Sequence, residues 1–423
     1  MRKGVDMGEY IIEGGHRLHG NIKIQGAKNS ALPILAATVT VGKPCVIHNC
    51  PYLSDVKSTI EILKALGCEV RHSGTTVWVD SSKINCNTVP DALMRESRSS
   101  VIFLGALLSR TKEAKITAPG GCDIGVRPID LHLLSIQKLG VKITEKGGSI
   151  CCKSEKPQGA KIALSFPSVG ATENIILAAV RTPGVTTIIN AAREPEIVDL
   201  ARFLNFAGAK IAGAGDSTIV IEGVDNLRSV QYTVMPDRIA AATYLTAAAV
   251  TKSDIIIEDV VPNHLLPVIP CFEQSGCRII QSGNKLRIIS PERLKSFESV
   301  RTMPYPGFPT DCQALVTVLA CICCGTTFIS ESIFENRFKH ICELNRMGAD
   351  IVIHDRTITV NGVKALRGAN VTACDLRAGA ALTIAGLCAD GISTVDNTQF
   401  IDRGYENFSG NLKMLGANIK RTD

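Results

Sequence analysis

Six stretches of the chain alternate apolar and polar positions with the period of an α-helix, and each stretch ends on the same short motif. The motif is a small or apolar residue, a glycine, a small residue, any residue, and then Val or Ile. Its glycines are Gly67, Gly140, Gly208, Gly276, Gly348 and Gly416, which recur at intervals of 68 to 73 residues. Because glycine often ends a helix in a left-handed conformation, each motif predicts a helix end. Two short strands are predicted after each glycine, as at 69–72 and 76–80.

A second helical segment in each copy is apolar on nearly every side, which is typical of a buried helix. These segments are 28–39, 98–108, 169–180, 237–250, 311–324 and 375–388. Polar residues at their starts, predicted to cap them, are Asn29, Ser99, Ser168, Asp237, Asp311 and Asp375. Basic residues lie beside four of these caps: Lys28, Arg98, Arg238 and Arg377. Since a helix start attracts anions, several such starts in one cleft would form an anion site, although each alone is also explained as an ordinary cap.

The six copies predict an α/β protein with two similar domains of three copies each. We place the first domain at 27–235 and the second at 1–26 plus 236–423. The strand predicted at 9–13 precedes the first buried helix, so we expect it to pair with the C-terminal half.

Composition excludes several classes of protein. With 423 residues, 45% of them hydrophobic, the chain can bury a large core. A net charge of +6 and only 4% aromatic residues argue against a nucleic-acid binder. The longest apolar runs, 239–250 and 314–324, are too short to cross a bilayer, and residues 1–15 lack the apolar centre of a signal peptide.

The sixteen cysteines are expected to be reduced thiols that pack as small apolar side chains, without a disulfide framework. A C-x-x-C motif at 321–324 ends a wholly apolar segment and has no second cysteine pair at zinc-ligand spacing. We therefore predict that it belongs to the core rather than to a metal site.

The loop 119–132 carries the most distinctive candidate chemistry. Cys122 follows two glycines, and Arg127 lies five positions further on. A thiol close to fixed positive charge ionises more readily, which is typical of a reactive cysteine. A tight turn that merely contains a cysteine would give the same local pattern, so the loop alone leaves both interpretations open.

Eight separated motifs, in order, resemble the UDP-N-acetylglucosamine 1-carboxyvinyltransferase branch of the enolpyruvyl transferases. They lie at 26–33, 120–132, 168–172, 192–199, 309–311, 334–338, 375–377 and 402–406, and the likeness runs from about Ile11 to Ile419. The resemblance implies a two-domain, inside-out α/β barrel fold built from six repeats. It also implies transfer of the enolpyruvyl group of phosphoenolpyruvate to the 3-hydroxyl of UDP-N-acetylglucosamine, by a cytoplasmic monomer with no metal or cofactor, in the first committed step of peptidoglycan synthesis.

The resemblance also implies roles for individual residues. The catalytic residues would be Cys122, Asp311, Lys28 and Arg403, with Asp311 as base or orienting group and Cys122 as proton donor or covalent nucleophile. Phosphoenolpyruvate would be bound by Lys28, Asn29, Arg127, Arg337, Arg377 and Arg403. The UDP-sugar would be bound by Asn29, Arg98, Arg127, Pro128, Ile129, Asp130, Leu131, Ser168, Val169, Gly170, Asp311 and Ile333.

Two positions depart from the pattern of some family members, because Ser54 and Phe166 stand where a lysine sometimes occurs. Contacts of those two side chains with the sugar nucleotide are therefore in question.

Two alternatives remain open at this point. One is 5-enolpyruvylshikimate-3-phosphate synthase, which shares the fold, although the Cys122 loop and the segment 168–170 argue against it. The other is a non-catalytic UDP-sugar-binding redox sensor, which would have no need for a proton donor.

Overall fold

A computed structural model describes residues 8–120, 124–125 and 128–422. The described chain divides into two compact units. The N-terminal unit comprises residues 26–120 and 128–235, and the C-terminal unit comprises residues 8–25, 124–125 and 236–422. No helix in these described ranges is long and apolar enough to span a membrane.

The described chain begins with two strands of the C-terminal unit, β1 (Glu9–Glu13) and β2 (His19–Lys23). The N-terminal unit then contains α1 (Lys28–Val41), β3 (Pro44–His48), α2 (Ser54–Ala65), β4 (Glu69–Ser73), β5 (Thr76–Asp80), α3 (Asp91–Glu96), a 3-10 helix (Arg98–Ile102), α4 (Phe103–Thr111), β6 (Glu113–Thr117), α5 (Asp130–Lys138), β7 (Val141–Lys146), β8 (Ser149–Ser154), β9 (Lys161–Ala163), α6 (Val169–Ala179), β10 (Val185–Ile189), α7 (Pro195–Phe206), β11 (Lys210–Ala212), β12 (Thr218–Glu222) and β13 (Val230–Thr233).

The rest of the C-terminal unit repeats this alternation. It contains α8 (Arg238–Val250), β14 (Asp254–Glu258), a 3-10 helix (Pro262–Leu265), α9 (Ile269–Gln274), β15 (Arg278–Ser282), β16 (Lys285–Ile289), β17 (Ser299–Arg301), a 3-10 helix (Thr310–Cys312), α10 (Gln313–Cys321), β18 (Thr326–Ser330), α11 (His340–Arg346), β19 (Asp350–His354), β20 (Thr357–Asn361), β21 (Asn370–Thr372), α12 (Leu376–Cys388), β22 (Ile392–Asp396), a 3-10 helix (Thr398–Arg403), α13 (Phe408–Met414) and β23 (Asn418–Thr422).

Each unit has three small sheets. In the N-terminal unit the strand orders are β13-β3-β5-β4, β6-β8-β7 and β11-β12-β10-β9. In the C-terminal unit they are β15-β16-β14-β2, β17-β18-β20-β19 and β21-β22-β1-β23. Every four-stranded sheet combines one parallel pair with two antiparallel pairs, such as β13 with β3, β3 with β5, and β5 with β4. The same pairing pattern on both sides of residue 235 shows that the repeat seen in the sequence is a structural repeat.

The six predicted helix ends are confirmed. The glycines of the motif all have positive φ, between 83° and 103°, and each follows directly after the end of a helix. A residue with a Cβ is strained in this left-handed region, which explains why the motif requires glycine.

Three apolar helices form the centre of each unit and pack against one another. They are α1, α4 and α6 in the N-terminal unit, and α8, α10 and α12 in the C-terminal unit. Almost every residue of these helices is buried, which confirms that they are core helices.

The predicted caps are correct for three of these helices and wrong for the other three. Ser168, Asp237 and Asp375 accept backbone N–H groups at the starts of α6, α8 and α12. Asn29 instead lies inside α1, which already begins at Lys28. Ser99 and Asp311 lie inside the 3-10 turns that precede α4 and α10. The side chains of Asn29 and Asp311 are therefore not used as caps of their helices.

The prediction for the N-terminal strand is confirmed, since β1 pairs antiparallel with both β22 and β23.

The C-x-x-C prediction was right only in part. Cys321 and Cys323 are buried, whereas Cys324 is exposed and accepts a hydrogen bond from Arg293 Nε at 2.6 Å. The reason is that α10 ends at Cys321, so Cys324 already lies in the turn that leads to β18.

Candidate active site

Lys28, the first residue of α1, lies beside the buried carboxylate of Asp55. Its Nζ atom is 2.6 Å from Asp55 Oδ2, and both side chains are almost fully buried. Asp55 lies in the first turn of α2, where a carboxylate also interacts favourably with the helix dipole. The sequence analysis did not single out Asp55; the only local signal was its place at the start of a helix. The pair fixes the ammonium group at the N-terminal end of α1.

Asp199, on α7, holds the same first turn of α1 through Ser30. Its carboxylate accepts hydrogen bonds from the Ser30 hydroxyl, from the Tyr232 hydroxyl at 2.5 Å and from the Met235 N–H at 3.2 Å. Burial raises the pKa of Asp199, while these donors act in the opposite direction. Asn29 lies between Lys28 and Ser30, so the position of its backbone is determined by both neighbours.

The start of α6 carries Ser168, Val169 and Gly170, all partly accessible to solvent. The Ser168 hydroxyl caps the helix by accepting the Ala171 N–H at 3.3 Å. Gly170 packs directly on the His132 ring, because a Cβ added at Gly170 would lie 2.9 Å from His132 Cε1. This helix start therefore combines free N–H groups with close packing that only glycine allows.

A buried amide connects the start of α6 to two neighbouring helices. The Asn174 side chain lies 2.8 Å from His132 Nδ1 on α5, and its Oδ1 accepts the Gly105 N–H on α4 at 2.7 Å. Sequence reasoning assigned no role to His132 or Asn174. Pro128, Ile129, Asp130 and Leu131, which precede or begin α5, are partly or fully exposed. Arg98 begins the 3-10 turn before α4 and is half-buried.

Asp311 in the C-terminal unit contacts two buried guanidinium groups. Asp311 Oδ1 lies 2.7 Å from Arg337 Nη2, and Asp311 Oδ2 lies 3.2 Å from Arg377 Nη2. The arginine side chains are 5% and 4% exposed, whereas that of Asp311 is 28% exposed. The structure therefore brings together three of the residues predicted for the site, and Asp311 is the most exposed of the three.

Arg377 is held by two further groups, one of which is held in turn by a third. It is the second residue of α12, and its N–H donates to the capping carboxylate of Asp375 at 2.8 Å. Arg377 Nη1 donates to the Tyr405 hydroxyl at 3.1 Å, and that hydroxyl lies 2.8 Å from the Thr243 hydroxyl. Burial acts to lower the pKa of Arg377, but the Asp311 carboxylate and Tyr405 raise it on balance, so the guanidinium stays charged. Tyr405 had no role in the sequence analysis.

Ile333 lies in the 332–337 loop, which we define as the residues that follow β18 and Glu331. The Ile333 N–H and the Phe334 N–H both donate to Glu331 Oε1, at 2.7 and 3.1 Å. Further along the loop, the Asn336 N–H donates to the Ile124 carbonyl at 3.0 Å. The loop thus connects Ile333 with Arg337, the partner of Asp311.

The remaining predicted residues are placed as follows. Arg403 is the last residue of the 3-10 helix 398–403 and is half-buried. Cys122 and Arg127 lie outside the described residues. Of the two departures, Phe166 is 43% exposed, and Ser54 begins α2, next to Asp55. Within the described ranges, no group of three or more His, Cys, Asp or Glu side chains is arranged to hold a metal ion.

Comparisons with known proteins agree with this arrangement. The profile of the EPSP synthase (3-phosphoshikimate 1-carboxyvinyltransferase) family matches residues 12–412. UDP-N-acetylglucosamine 1-carboxyvinyltransferase 2 of Caldanaerobacter subterraneus subsp. tengcongensis is 50% identical over 415 residues, which cover 98% of this chain and all of that protein. UDP-N-acetylglucosamine 1-carboxyvinyltransferase 1 of Carboxydothermus hydrogenoformans is 47% identical over 99% of both chains.

The chain belongs to the UDP-N-acetylglucosamine 1-carboxyvinyltransferase family. Members of this family are transferases, so the protein is an enzyme, and the non-catalytic alternative is not favoured. Among solved structures, the enolpyruvyl transferase NikO from Streptomyces tendae superposes with a TM-score of 0.90 at 27% identity, covering 98% of this chain and 99% of that one. EPSP synthase from Acinetobacter baumannii superposes with a TM-score of 0.76 at 18% identity, covering 98% and 100%. These superpositions confirm the enolpyruvyl-transferase fold. The likeness to EPSP synthase at 18% identity concerns the fold alone, so the shikimate-pathway alternative is not favoured.

Proposed function

We propose that this enzyme transfers the enolpyruvyl group of phosphoenolpyruvate to the 3-hydroxyl of UDP-N-acetylglucosamine and releases phosphate. The contact of Asp311 with Arg337 and Arg377 is the single observation that supports it most. Two buried guanidiniums suit the carboxylate of phosphoenolpyruvate, since Arg binds carboxylates through paired hydrogen bonds. The more accessible carboxylate between them suits a group that accepts a proton from a sugar hydroxyl.

The reaction needs one base and one acid. Asp311 accepts the proton of the 3-hydroxyl while the sugar oxygen forms a bond to C2 of phosphoenolpyruvate, and a proton is added to the methylene carbon, C3. Return of a proton from C3 to the conjugate base of the acid that delivered one then re-forms the double bond as the bond from C2 to the phosphate oxygen breaks, and phosphate leaves. We assign proton delivery at C3 to Cys122, with covalent addition of the thiolate to C2 as the alternative role of the same residue.

The cationic residues divide between the two substrates. Lys28, Arg127 and Arg403 bind the phosphate of phosphoenolpyruvate or the charge that develops on it, and Arg337 and Arg377 bind its carboxylate. Asn29 contacts both substrates. The diphosphate of the UDP-sugar lies at the start of α6, where the N–H groups of the first turn attract anions. The remaining contacts with the UDP-sugar are assigned to Arg98, Arg127, Pro128, Ile129, Asp130, Leu131, Ser168, Val169, Gly170, Asp311 and Ile333.

The acceptor substrate also suggests where the reaction belongs. We propose that it is the first committed step of peptidoglycan synthesis, carried out in the cytoplasm by a monomer that needs no metal or organic cofactor. Size-exclusion chromatography with light scattering tests the monomer, and full activity after exhaustive chelation tests the absence of a metal.

Phosphate release measured with each acceptor tests the function itself. The purified protein is incubated with phosphoenolpyruvate and either UDP-N-acetylglucosamine or shikimate 3-phosphate, and phosphate and the enolpyruvyl product are measured. We expect turnover with the UDP-sugar only. Turnover with shikimate 3-phosphate and none with the UDP-sugar would overturn the proposal, as would binding of the UDP-sugar without any product.

A further inference from the structure

We propose that Glu331 is a positioning residue that sets the geometry of both Asp311 and the loop that binds the acceptor sugar. This inference rests on the proposed function. Glu331 directly follows β18 and is 2% exposed, so its carboxylate does not reach solvent. A buried carboxylate is costly unless hydrogen bonds replace the lost water, and the contacts of Glu331 show what replaces it here.

Four hydrogen bonds converge on this carboxylate from three separate segments. Glu331 Oε1 accepts the Thr302 hydroxyl at 2.8 Å, and the N–H groups of Ile333 and Phe334 as described above. Glu331 Oε2 accepts the Thr310 hydroxyl at 2.8 Å. One side chain thus connects the end of β17, the 3-10 turn that begins at Thr310, and the 332–337 loop.

Two of these three connections lead to residues assigned to the reaction. Thr310 directly precedes Asp311 in the same 3-10 turn, so the bond to Oε2 determines where the Asp311 backbone lies. The bonds to Oε1 hold Ile333, which is assigned to the UDP-sugar. Arg337, at the far end of the same loop, contacts Asp311, so the loop and the 3-10 turn are also connected to each other directly.

The backbone around Glu331 is itself fixed, so the carboxylate can act as an anchor. The Glu331 N–H donates to the Arg356 carbonyl at 2.8 Å, and Arg356 Nε donates to the Glu331 carbonyl at 3.1 Å. The Thr302 hydroxyl, besides donating to Glu331, accepts the Ser332 N–H at 2.9 Å. A displacement of about 1 Å at a reacting group can cost two orders of magnitude in rate, so such an anchor matters even though it touches no substrate.

Two variants separate geometry from charge. Glu331→Gln keeps the side-chain length: its amide oxygen can accept the three bonds made by Oε1, and its amide nitrogen can donate to a rotated Thr310 hydroxyl. We expect kcat and both KM values to stay within about threefold of wild type. Glu331→Asp keeps the charge but is one methylene shorter, so it cannot serve all four donors. For this variant we expect KM for UDP-N-acetylglucosamine to rise about tenfold and kcat to fall, with a smaller change in KM for phosphoenolpyruvate.

A core variant supplies the control for a loss of stability alone. Leu286→Ala opens a cavity in the core of the same unit, and Leu286 lies on β16, in a different sheet from β17 and β18. We expect this variant to lower the melting temperature without changing the ratio of the two KM values.

Steady-state kinetics of the three variants, at a temperature where each remains folded, decide the matter. Impairment of Glu331→Gln with little effect of Glu331→Asp would show that charge, not positioning, is required and would overturn the inference. Equal impairment of the two variants would overturn it too, because side-chain length without charge would then not be enough. An effect of Glu331→Asp confined to melting temperature, as for Leu286→Ala, would overturn it as well. The wild-type measurement distinguishes failure of this inference from failure of the proposed function. Wild-type protein that is inactive with UDP-N-acetylglucosamine would contradict the function itself.

Discussion

Asp311 lies 2.7 Å from Arg337 although 26 residues separate them in the chain. A second guanidinium, that of Arg377, lies 3.2 Å from the other carboxylate oxygen. Since both arginines are buried and the Asp311 side chain is 28% exposed, Asp311 is the member of this group that we propose as the acceptor of the proton of the substrate hydroxyl.

The Asp311→Asn variant tests this role. An amide cannot accept the hydroxyl proton, so we expect kcat to fall about 100-fold or more, the range that general-base removal typically costs. The variant also removes the carboxylate that pairs with two buried guanidiniums, so its melting temperature should fall in buffer and recover partly when phosphoenolpyruvate is added. Asp254→Asn, which disrupts an exposed ion pair with Arg287 in the same unit, is the matched control and should change neither quantity much. A kcat within threefold of wild type for Asp311→Asn would exclude a base at this position.

The Cys122 prediction concerns selectivity among sixteen thiols. Burial raises the pKa of core thiols such as Cys45, Cys68 and Cys152 to about 12, so they hardly ionise at neutral pH. Exposed thiols at Cys324 and Cys342 serve as internal controls because they are accessible. We expect an epoxide phosphonate such as fosfomycin, in the presence of the UDP-sugar, to alkylate Cys122 alone, as mapped by peptide mass spectrometry.

A second variant then distinguishes the two roles of this thiol. Cys122→Asp supplies another acid but no thiolate, so we expect turnover to persist while alkylation is lost. Complete loss of turnover in Cys122→Asp would indicate that a covalent adduct is obligatory. Adducts spread over Cys324 and Cys342 would contradict the assignment of Cys122 as the activated thiol.

The Asp55→Asn variant tests the buried pair with Lys28. Removing one partner of a buried ion pair leaves an uncompensated charge, which costs about 3 kcal/mol. We therefore expect a lower melting temperature and, because the ammonium loses its anchor, a KM for phosphoenolpyruvate raised about tenfold. Glu61→Gln on the same helix disrupts an exposed pair with Lys64 and should be nearly neutral in both measurements. Equal effects of the two variants would show that the Lys28 contact has no special role.

Glu173 provides a prediction about pH. This residue of α6 is buried, and burial, together with the nearby Glu196 and Glu194 carboxylates, holds its pKa well above the usual value of 4.5. The folded protein therefore retains a proton that the unfolded chain releases, so stability falls as pH rises from about 4.5 through the raised pKa. Each pH unit in that window costs up to about 1.4 kcal/mol.

Glu173→Gln has no proton to lose and should avoid this cost. We expect its melting temperature to match that of wild type near pH 4.5 and to exceed it by a margin that grows with pH until the raised pKa of Glu173 is passed, as measured by thermal unfolding from pH 4.5 to pH 8. Glu222→Gln, at an exposed carboxylate on β12 in the same unit, is the control and should give a small difference without this trend. A difference for Glu173→Gln that is constant with pH would contradict the raised pKa.

The repeat and its helices were predictable from the sequence alone. A helix end at glycine depends on the local φ angle, and the burial of a helix such as α8 follows from the absence of a polar face. Both features depend on residues that are neighbours in the sequence, so a short stretch of sequence is enough to predict them. Caps were less predictable because a shift of two residues, as from Asn29 to Ala27, or a 3-10 turn, as at Asp311, changes which residue caps the helix.

The sequence by itself thus determined the six repeats, the buried helices and, through its motifs, the family. Only the tertiary structure decided which charged groups meet. Lys28 with Asp55, Asp311 with Arg377 across 66 residues, and Glu331 with Thr302 and Thr310 are contacts between different elements. No local periodicity encodes such contacts, because they arise where separate elements pack together and bury polar groups that must find partners.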